Sequence, residues 1–179
     1  MASARAPASA PFGVDLAGHS VLSLAGPGTR VVVLVFAASD CPIANRYVPE
    51  VARLSRLYAP RGVRFWWVFP NPGDTAPVVS GHVRAFAIAD PSLRDIDQAL
   101  VRRAHVRVTP EAAVFLVRGD ALREVYHGRI DDRYLAFGRE RPAPRRHELE
   151  AALVAALEGA PVLPPGGPAV GCAIVPPKP

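Results

Sequence analysis

Two uninterrupted apolar runs stand out in the hydrophobic pattern of the chain. Val31 to Phe36 reads VVVLVF, and Val63 to Phe69 is almost as apolar. Neither run alternates between apolar and polar residues, and this is the pattern of strands that are buried on both faces of a sheet. The sequence therefore predicts two central strands, with helices covering the sheet.

The segment between the two runs has the pattern of a helix. Apolar residues recur at three- and four-residue steps from Val48 to Tyr58, which places them on one helical face. Pro42 suits the first helical position, because proline lacks an N–H group that would be unsatisfied there. Weaker patterns predict three more helices, over Ala76 to Ala87, Leu93 to Ala104 and Arg146 to Leu157.

Alternating segments predict two hairpins. Near the N-terminus, Phe12 to Leu16 and Val21 to Leu24 flank a polar turn. Later in the chain, Ala112 to Val117 and Leu122 to His127 flank a turn that contains Gly and Asp. The full order is a hairpin, a βαβ unit, helices, two strands and a helix. This order predicts an α/β fold with a central mixed sheet flanked by helices.

The composition divides the chain into three parts. Residues 1–11, rich in Ala, Ser and Pro, predict a flexible N-terminal arm, and residues 12–158 predict a single domain. Residues 159–179 form a Pro- and Gly-rich tail that carries Cys172. Half of the 179 residues are hydrophobic, which excludes an intrinsically disordered chain. No apolar run approaches the ~20 residues that a membrane-spanning helix needs.

The chain is basic, with a net charge of +5 and a pI of about 9.9. Its basic residues are almost all Arg, with Lys178 as the only lysine, and they are scattered rather than grouped in one patch. We therefore predict that nucleic acid is not a partner. Residues 1–11 lack the continuous apolar core of a signal peptide. The sequence leaves open the oligomeric state, and whether the protein stays inside the cell or is exported after its signal is removed.

Cys41 follows the first buried strand and directly precedes Pro42, at the start of the predicted helix. A cysteine at a helix N-terminus faces free backbone N–H groups and the positive end of the helix dipole, and both stabilise a thiolate. The alternative is a buried, inert cysteine. However, the carboxyl end of a central strand is where open α/β sheets place their functional residues. We therefore predict that Cys41 is a nucleophile.

Two segments carry a family resemblance. The run VVVLVFAASDCPIANRY, from Val31 to Tyr47, together with Thr109-Pro110-Glu111, resembles the thioredoxin superfamily. More narrowly, residues 12–158 are similar to redoxin-domain proteins of the alkyl hydroperoxide reductase and thiol-specific antioxidant family. The resemblance implies a thioredoxin-like fold with an antioxidant or disulfide-exchange activity.

The resemblance also implies roles for individual residues. Pro110 is expected to be cis, to face Cys41, and to shape the surface that receives the backbone of a partner. The other residues expected to bound the substrate site are Thr109, Pro42, Asn45 and Arg46.

The sequence departs from the family pattern at four positions. Thioredoxins carry a second cysteine where this chain has Ala44, and copper-assembly members carry it where this chain has Asn45. Peroxiredoxins have Thr or Ser where Ala38 stands and Pro where Leu34 stands. A local dithiol motif is therefore excluded, and the residues that normally organise hydrogen bonds to a peroxide are missing.

Cys172 is the other cysteine of the chain, within Gly171-Cys172-Ala173-Ile174. A proline-rich tail is extended and far-reaching, so it could bring this thiol to Cys41. The resemblance supports this pairing, because related redoxin-domain proteins share a terminal Gly-Cys-x-Ile. An incidental surface cysteine, or one that links two chains, is the alternative that the sequence leaves open.

These observations favour a thiol-disulfide oxidoreductase with Cys41 as nucleophile and Cys172 as resolving thiol. Its partner would be a protein or small-molecule thiol or disulfide, and no cofactor is expected. The alternatives are a thiol peroxidase, a module in which both cysteines and a histidine hold a soft metal such as Cu(I), and a redox-inactive adaptor. His82, His105 and His127 are expected to be separate surface or capping side chains, so no metal ligand is assigned.

Overall fold

A computed structural model describes residues 10 to 177 of the chain. The flexible arm predicted over residues 1–11 therefore lies, except for its last two residues, outside the described part. Within residues 10–177, the helices are too short or too polar to cross a bilayer.

The described residues form ten strands and four α-helices. The strands are β1 (Val14–Asp15), β2 (Val31–Phe36), β3 (Val63–Phe69), β4 (Ser92–Arg94), β5 (Val108–Thr109), β6 (Glu111–Arg118), β7 (Ala121–Gly128), β8 (Tyr134–Ala136), β9 (Arg139–Glu140) and β10 (Cys172–Ala173). The helices are α1 (Pro42–Tyr58), α2 (Ala76–Ala85), α3 (Ala99–Arg103) and α4 (Glu148–Glu158), and a 3-10 turn (Ala59–Arg61) follows α1.

Six strands form one mixed sheet in the order β1-β4-β3-β2-β6-β7. β3 is parallel to both β2 and β4, while β6 pairs antiparallel with β2 and β7. Helix α1 connects the parallel strands β2 and β3, as the βαβ pattern predicts. The mixed α/β architecture is therefore confirmed. β5 pairs with β10 in a separate two-stranded sheet.

The central strand β2 buries both of its faces. On one face, alternate residues such as Val33 pack with apolar side chains of α1, α2 and α4. On the other face, the intervening residues such as Leu34 pack with α3 and the segments around it. All six side chains of β2 are 0% exposed. Because burial of each large apolar side chain is worth roughly 1.5–3 kcal/mol, the position of the carboxyl end of β2 is firmly held.

The predicted helix over Leu93 to Ala104 is wrong in its first half. Leu93 lies in β4, beside Val68 of β3, and is fully buried in the sheet. Helix α3 begins only after Asp95, whose buried carboxylate accepts hydrogen bonds from two N–H groups in the first turn of α3. The helical pattern is overridden because the sheet buries Leu93 more completely than one helical turn would.

The N-terminal hairpin is shorter than predicted. β1 pairs with β4 at the edge of the sheet, and a bridge between Val14 and Ser20 closes the turn. Val21 to Leu24 is irregular, although the Phe12 N–H still donates to the carbonyl of Val21 at 2.8 Å.

Two further strand pairs occur where the sequence has no alternating pattern: β8 with β9, and β10 of the tail with β5.

Leu153→Ala is expected to destabilise the protein by about 2–5 kcal/mol, because this fully buried side chain of α4 covers one face of the sheet. Urea unfolding followed by circular dichroism measures the change. Leu22→Ala is the control, since the Leu22 side chain is 64% exposed, and its effect should stay within about 0.5 kcal/mol. Equal stability of the two variants would contradict the packing of α4.

Candidate active site

Cys41 is the N-cap residue of α1, in the turn that follows the carboxyl end of β2. Its backbone is extended, with a φ of −83° and a ψ of 109°, and its side chain makes no capping hydrogen bond. The sulfur therefore lies at the positive end of the helix dipole, where a helix leaves its first N–H groups without internal partners. Cys41 is 1% exposed, so its thiol lies inside the protein.

A buried carboxylate holds the turn that carries Cys41. Asp74, in the loop after β3, accepts hydrogen bonds from the backbone N–H of Ser39 at 3.1 Å and from its hydroxyl at 2.5 Å. Burial raises the pKa of Asp74, and the bonds from Ser39 oppose that shift. The hydrophobic pattern does not mark Asp74. Its one signal in the sequence is its place after a buried strand, at the sheet edge that carries Cys41.

The segment that faces Cys41 is Thr109-Pro110, and the peptide bond between these two residues is cis, the form expected from the resemblance. The Cys41 thiol donates a hydrogen bond to the carbonyl oxygen of Thr109, with 3.1 Å between Sγ and oxygen. Glu111 holds the segment from behind, since its carboxylate accepts a hydrogen bond from the N–H of Arg107 at 2.9 Å. The buried thiol is thereby fixed against the backbone that immediately precedes Pro110.

The C-terminal tail runs alongside this segment as a strand. β10 pairs antiparallel with β5, so that Cys172 lies opposite Thr109 and Ala173 lies opposite Val108. Gly171 makes this close approach possible, because a Cβ atom at its position would lie 2.1 Å from the carbonyl oxygen of Thr109. Any residue with a side chain would therefore push the tail away from β5.

Further hydrogen bonds anchor the tail beyond β10. The N–H of Ile174 donates to the carbonyl of Arg107 at 3.4 Å. The N–H of Val175 donates to the side-chain oxygen of Asn71 at 2.9 Å, and its carbonyl accepts from the Gln98 amide at 2.6 Å. The tail after β10 is thus bound to the segment that leads into β5 and to the loops at the end of the main sheet.

Cys172 and Cys41 are neighbours, since both lie against Thr109. Both residues are free thiols. Burial, then the hydrogen bond with Cys41, then the negative charges of ionised Cys41 and Asp40, raise the pKa of Cys172 to about 12. A thiol with this pKa keeps its proton at neutral pH. Cys172 is therefore a sulfur that stays protonated at neutral pH.

The structure gathers four of the predicted site residues into one cluster: Cys41, Thr109, Pro110 and Cys172.

The other predicted site residues lie around this cluster. Pro42 follows Cys41 at the first position of α1, as predicted. The Asn45 amide donates to the carbonyl of Ser39 at 3.4 Å, inside the turn before Cys41. Arg46 is 59% exposed and pairs with Glu140 of β9 at 3.4 Å, so it lies at the rim.

The residues around Cys41 give little support to the two alternative functions, a thiol peroxidase and a soft-metal site. The positions where peroxidases carry Thr or Ser and Pro are occupied by Ala38 and Leu34, which are 1% and 0% exposed and have no polar side-chain atoms. Residues 10–177 contain two clusters of three His, Cys, Asp or Glu side chains, and neither includes a cysteine. A soft-metal site built from both thiols and a histidine therefore has no geometric support in that part of the chain.

Of the three histidines expected to be separate surface or capping side chains, His105 and His127 are at the surface but are not separate, and His82 is buried. The rings of His105 and His127 lie 5.7 Å apart, centroid to centroid. His82 is 8% exposed and packs against Phe69 and Phe86. The spacing along the chain cannot show either arrangement, because the partners of each ring come from other elements of the fold.

No protein-family model matches the sequence, and no curated protein matches it. Solved structures do match. An uncharacterized conserved protein from Geobacillus kaustophilus is 27% identical, with a TM-score of 0.73 over 92% of this chain and 87% of that one. The likeness extends over nearly the full length of both proteins.

Two more distant matches have the same fold and are described as oxidoreductases. A secreted disulfide oxidoreductase of Mycobacterium tuberculosis, homologous to E. coli DsbE, is 19% identical, with a TM-score of 0.51 over 80% of this chain and 93% of that one. The thioredoxin domain of a Bacteroides vulgatus thiol-disulfide oxidoreductase is 16% identical, with a TM-score of 0.53 over 68% and 86%. The chain therefore has a thioredoxin-like fold.

Proposed function

We propose that this protein is a thiol-disulfide oxidoreductase of the redoxin type, with Cys41 as nucleophile and Cys172 as resolving thiol. The observation that carries the proposal is the approach of the two thiols. Cys172 lies opposite Thr109, whose carbonyl oxygen is hydrogen-bonded to Cys41 at 3.1 Å. The disulfide oxidoreductases of the same fold in M. tuberculosis and B. vulgatus support this class of chemistry.

The first half of the reaction joins the substrate to the protein. The Cys41 thiolate attacks one sulfur of a substrate disulfide, and a mixed disulfide forms between Cys41 and the substrate. The second substrate sulfur leaves as a thiolate and takes up a proton. Cys41 is placed for this attack as the N-cap residue of α1, in the turn after β2.

The second half releases the substrate. Cys172 gives up its proton and attacks the Cys41 sulfur, and the substrate leaves as its second thiol. The substrate disulfide has then gained two electrons and two protons, and the protein holds a Cys41–Cys172 disulfide. A reducing dithiol, from a protein or a small molecule, returns the protein to its starting state.

The raised pKa of Cys172 determines which thiol acts first. Its value of about 12 keeps this residue protonated at neutral pH, and a protonated thiol is a poor nucleophile. Cys172 therefore acts second, once Cys41 is bound in a mixed disulfide with the substrate.

The partner is proposed to bind where the tail now lies. Cys41 is 1% exposed, so a substrate disulfide reaches its sulfur only after β10 moves away. The edge of β5 would then be open to an extended segment of a partner protein, which would add to it as a strand. Thr109 and Pro110 would contact the backbone of that segment. Pro42, Asn45 and Arg46, on the first turns of α1, would flank it.

Reduction of a protein disulfide tests the proposed activity. In the presence of dithiothreitol, the wild-type protein should accelerate the reduction of insulin, while Cys41→Ser should fall to the rate of dithiothreitol alone, because it removes the nucleophile. Circular dichroism of the variant checks that it is folded. A Cys41→Ser variant that matches the wild-type rate would contradict the assignment of the nucleophile.

Mass spectrometry tests the resolving role of Cys172. Mild oxidation followed by digestion should yield a peptide pair joined by a Cys41–Cys172 disulfide within one chain, because both cysteines lie against Thr109. The Cys172→Ser variant should instead accumulate a mixed disulfide at Cys41 when it meets substrate. Two free thiols after oxidation, or links between chains alone, would leave Cys172 without this role.

Gly171→Ala tests the displacement of the tail. The added Cβ would meet the carbonyl oxygen of Thr109 at 2.1 Å, so the tail should detach and Cys41 should react faster with iodoacetamide. We expect a rise of roughly tenfold or more, measured in a Cys172→Ser background so that one thiol is followed. Gly81→Ala is the control, because a Cβ there meets open space. Equal rates in the two variants would contradict the covering role of the tail.

A further inference from the structure

A cluster of two histidines and a glutamate lies away from the two cysteines. His105 follows α3, and Glu124 and His127 belong to β7. Their side-chain nitrogen and oxygen atoms all lie within 4.8 Å of one another. Cys41 packs in the core on the opposite face of the sheet from Ala104, the residue before His105. The cluster is therefore separate from the site described above.

A β-bulge brings the two ligands of β7 onto the same face. Glu124 pairs with Phe115, and Tyr126 pairs with Val114, so Val125 is an extra residue with no partner in β6. In a regular strand, residues at an odd spacing point to opposite faces, and Glu124 and His127 would be separated. The inserted residue restores them to one face. Bulges that redirect side chains in this way are common beside functional sites.

The third member of the cluster is held by an unusual backbone conformation. His105 has a φ of +53°, in the left-handed region that residues other than glycine occupy at a cost of roughly 1–2 kcal/mol. This conformation ends α3 and directs the His105 imidazole toward β7, with 3.9 Å between its Nδ1 and the Oε2 of Glu124. A strained residue persists where the surrounding structure determines it, and such residues concentrate at functional sites.

The carboxylate of Glu124 is bonded on one side only, as far as residues 10–177 are concerned. Its Oε1 lies 2.8 Å from Nδ1 of His127. Its Oε2 is sealed from solvent and has no hydrogen-bond partner in that part of the chain. A buried carboxylate oxygen without a partner is costly. Its position is that of a potential metal ligand.

A second cluster shows how such a group is satisfied without an ion. Glu50, His147 and Glu150 also lie within 4.8 Å of one another. Here Arg53 lies between the two carboxylates and donates to both, at 2.8 Å and 2.5 Å. The guanidinium already supplies the positive charge that a metal would bring, so this second cluster serves as a matched control.

We propose that His105, Glu124 and His127 bind a divalent transition-metal ion of the Zn²⁺ class. Two imidazoles and one carboxylate form a donor set that suits Zn²⁺ and leaves a fourth position for water or another ligand. Hard cations such as Mg²⁺ and Ca²⁺ prefer sites built from oxygen alone. The His105 side chain is 70% exposed, so the ion would be reached from solvent. This site is independent of the proposed thiol chemistry.

Binding of the ion would also join two parts of the fold. His105 lies in the segment that leads from α3 to β5, and the other two ligands lie on β7. An ion that bridges them would fasten the start of the Thr109-Pro110 segment to the main sheet. Zn²⁺ should therefore raise the melting temperature of the protein, as any ligand of the native state does.

Titration with Zn²⁺ tests the site. Cysteine thiolates are themselves zinc ligands, so the titration uses the full-length protein carrying Cys41→Ser and Cys172→Ser, with a chromophoric chelator as competitor. We expect one equivalent to bind. His105→Ala, His127→Ala and Glu124→Gln should each weaken binding by more than the roughly 10- to 100-fold that loss of a supporting residue costs. His147→Ala, in the control cluster, should leave the affinity unchanged.

X-ray absorption of the zinc-loaded protein gives a second measurement, with two imidazole ligands expected in the spectrum. Circular dichroism of each variant shows that a loss of binding is not a loss of fold. Failure of the cysteine-free protein to bind Zn²⁺ would overturn the proposal. Stoichiometric binding that survives both His105→Ala and His127→Ala would overturn it equally. Neither result would bear on disulfide reduction by Cys41.

Discussion

The two thiols of this protein meet through the backbone of one residue. Thr109 accepts a hydrogen bond from the buried Cys41 sulfur, and it is also the residue opposite Cys172 in the pairing of β5 with β10. This double contact requires that residue 171 have no side chain, since a Cβ would lie 2.1 Å from the Thr109 oxygen. The geometry of the site therefore depends on a contact between backbones, and no second cysteine is needed near Cys41 in the sequence.

The two sides of this contact differ in how firmly they are held. Cys41 follows a strand whose six residues are all 0% exposed, so it can move only if the core opens. Cys172 belongs to a two-residue strand that is held by hydrogen bonds at the surface. Local opening of such a segment costs far less than global unfolding. In the reaction proposed above, a firmly held Cys41 would act as the nucleophile and a detachable Cys172 as the resolving thiol.

The cluster of His105, Glu124 and His127 lies on the other face of the same sheet. A regular β7 would have separated Glu124 from His127, and a regular helix end would have placed glycine or asparagine where His105 stands. Each irregularity carries an energetic cost, and both bring side chains to one place. When two local departures from ideal geometry converge on one group of potential ligands, function is a better explanation than chance.

The sequence alone determined the parts of this protein that depend on local order. The apolar runs predicted buried strands, and the three- and four-residue periodicity predicted α1. The Cys41-Pro42 pair predicted where α1 begins. These features depend on residues that are near neighbours in the chain. The resemblance added Pro110. Tertiary structure alone decided that Leu93 joins the sheet, that Cys172 reaches Thr109, and that distant histidines share a carboxylate. These outcomes follow from contacts between residues far apart in the chain, and a local sequence pattern does not predict such contacts.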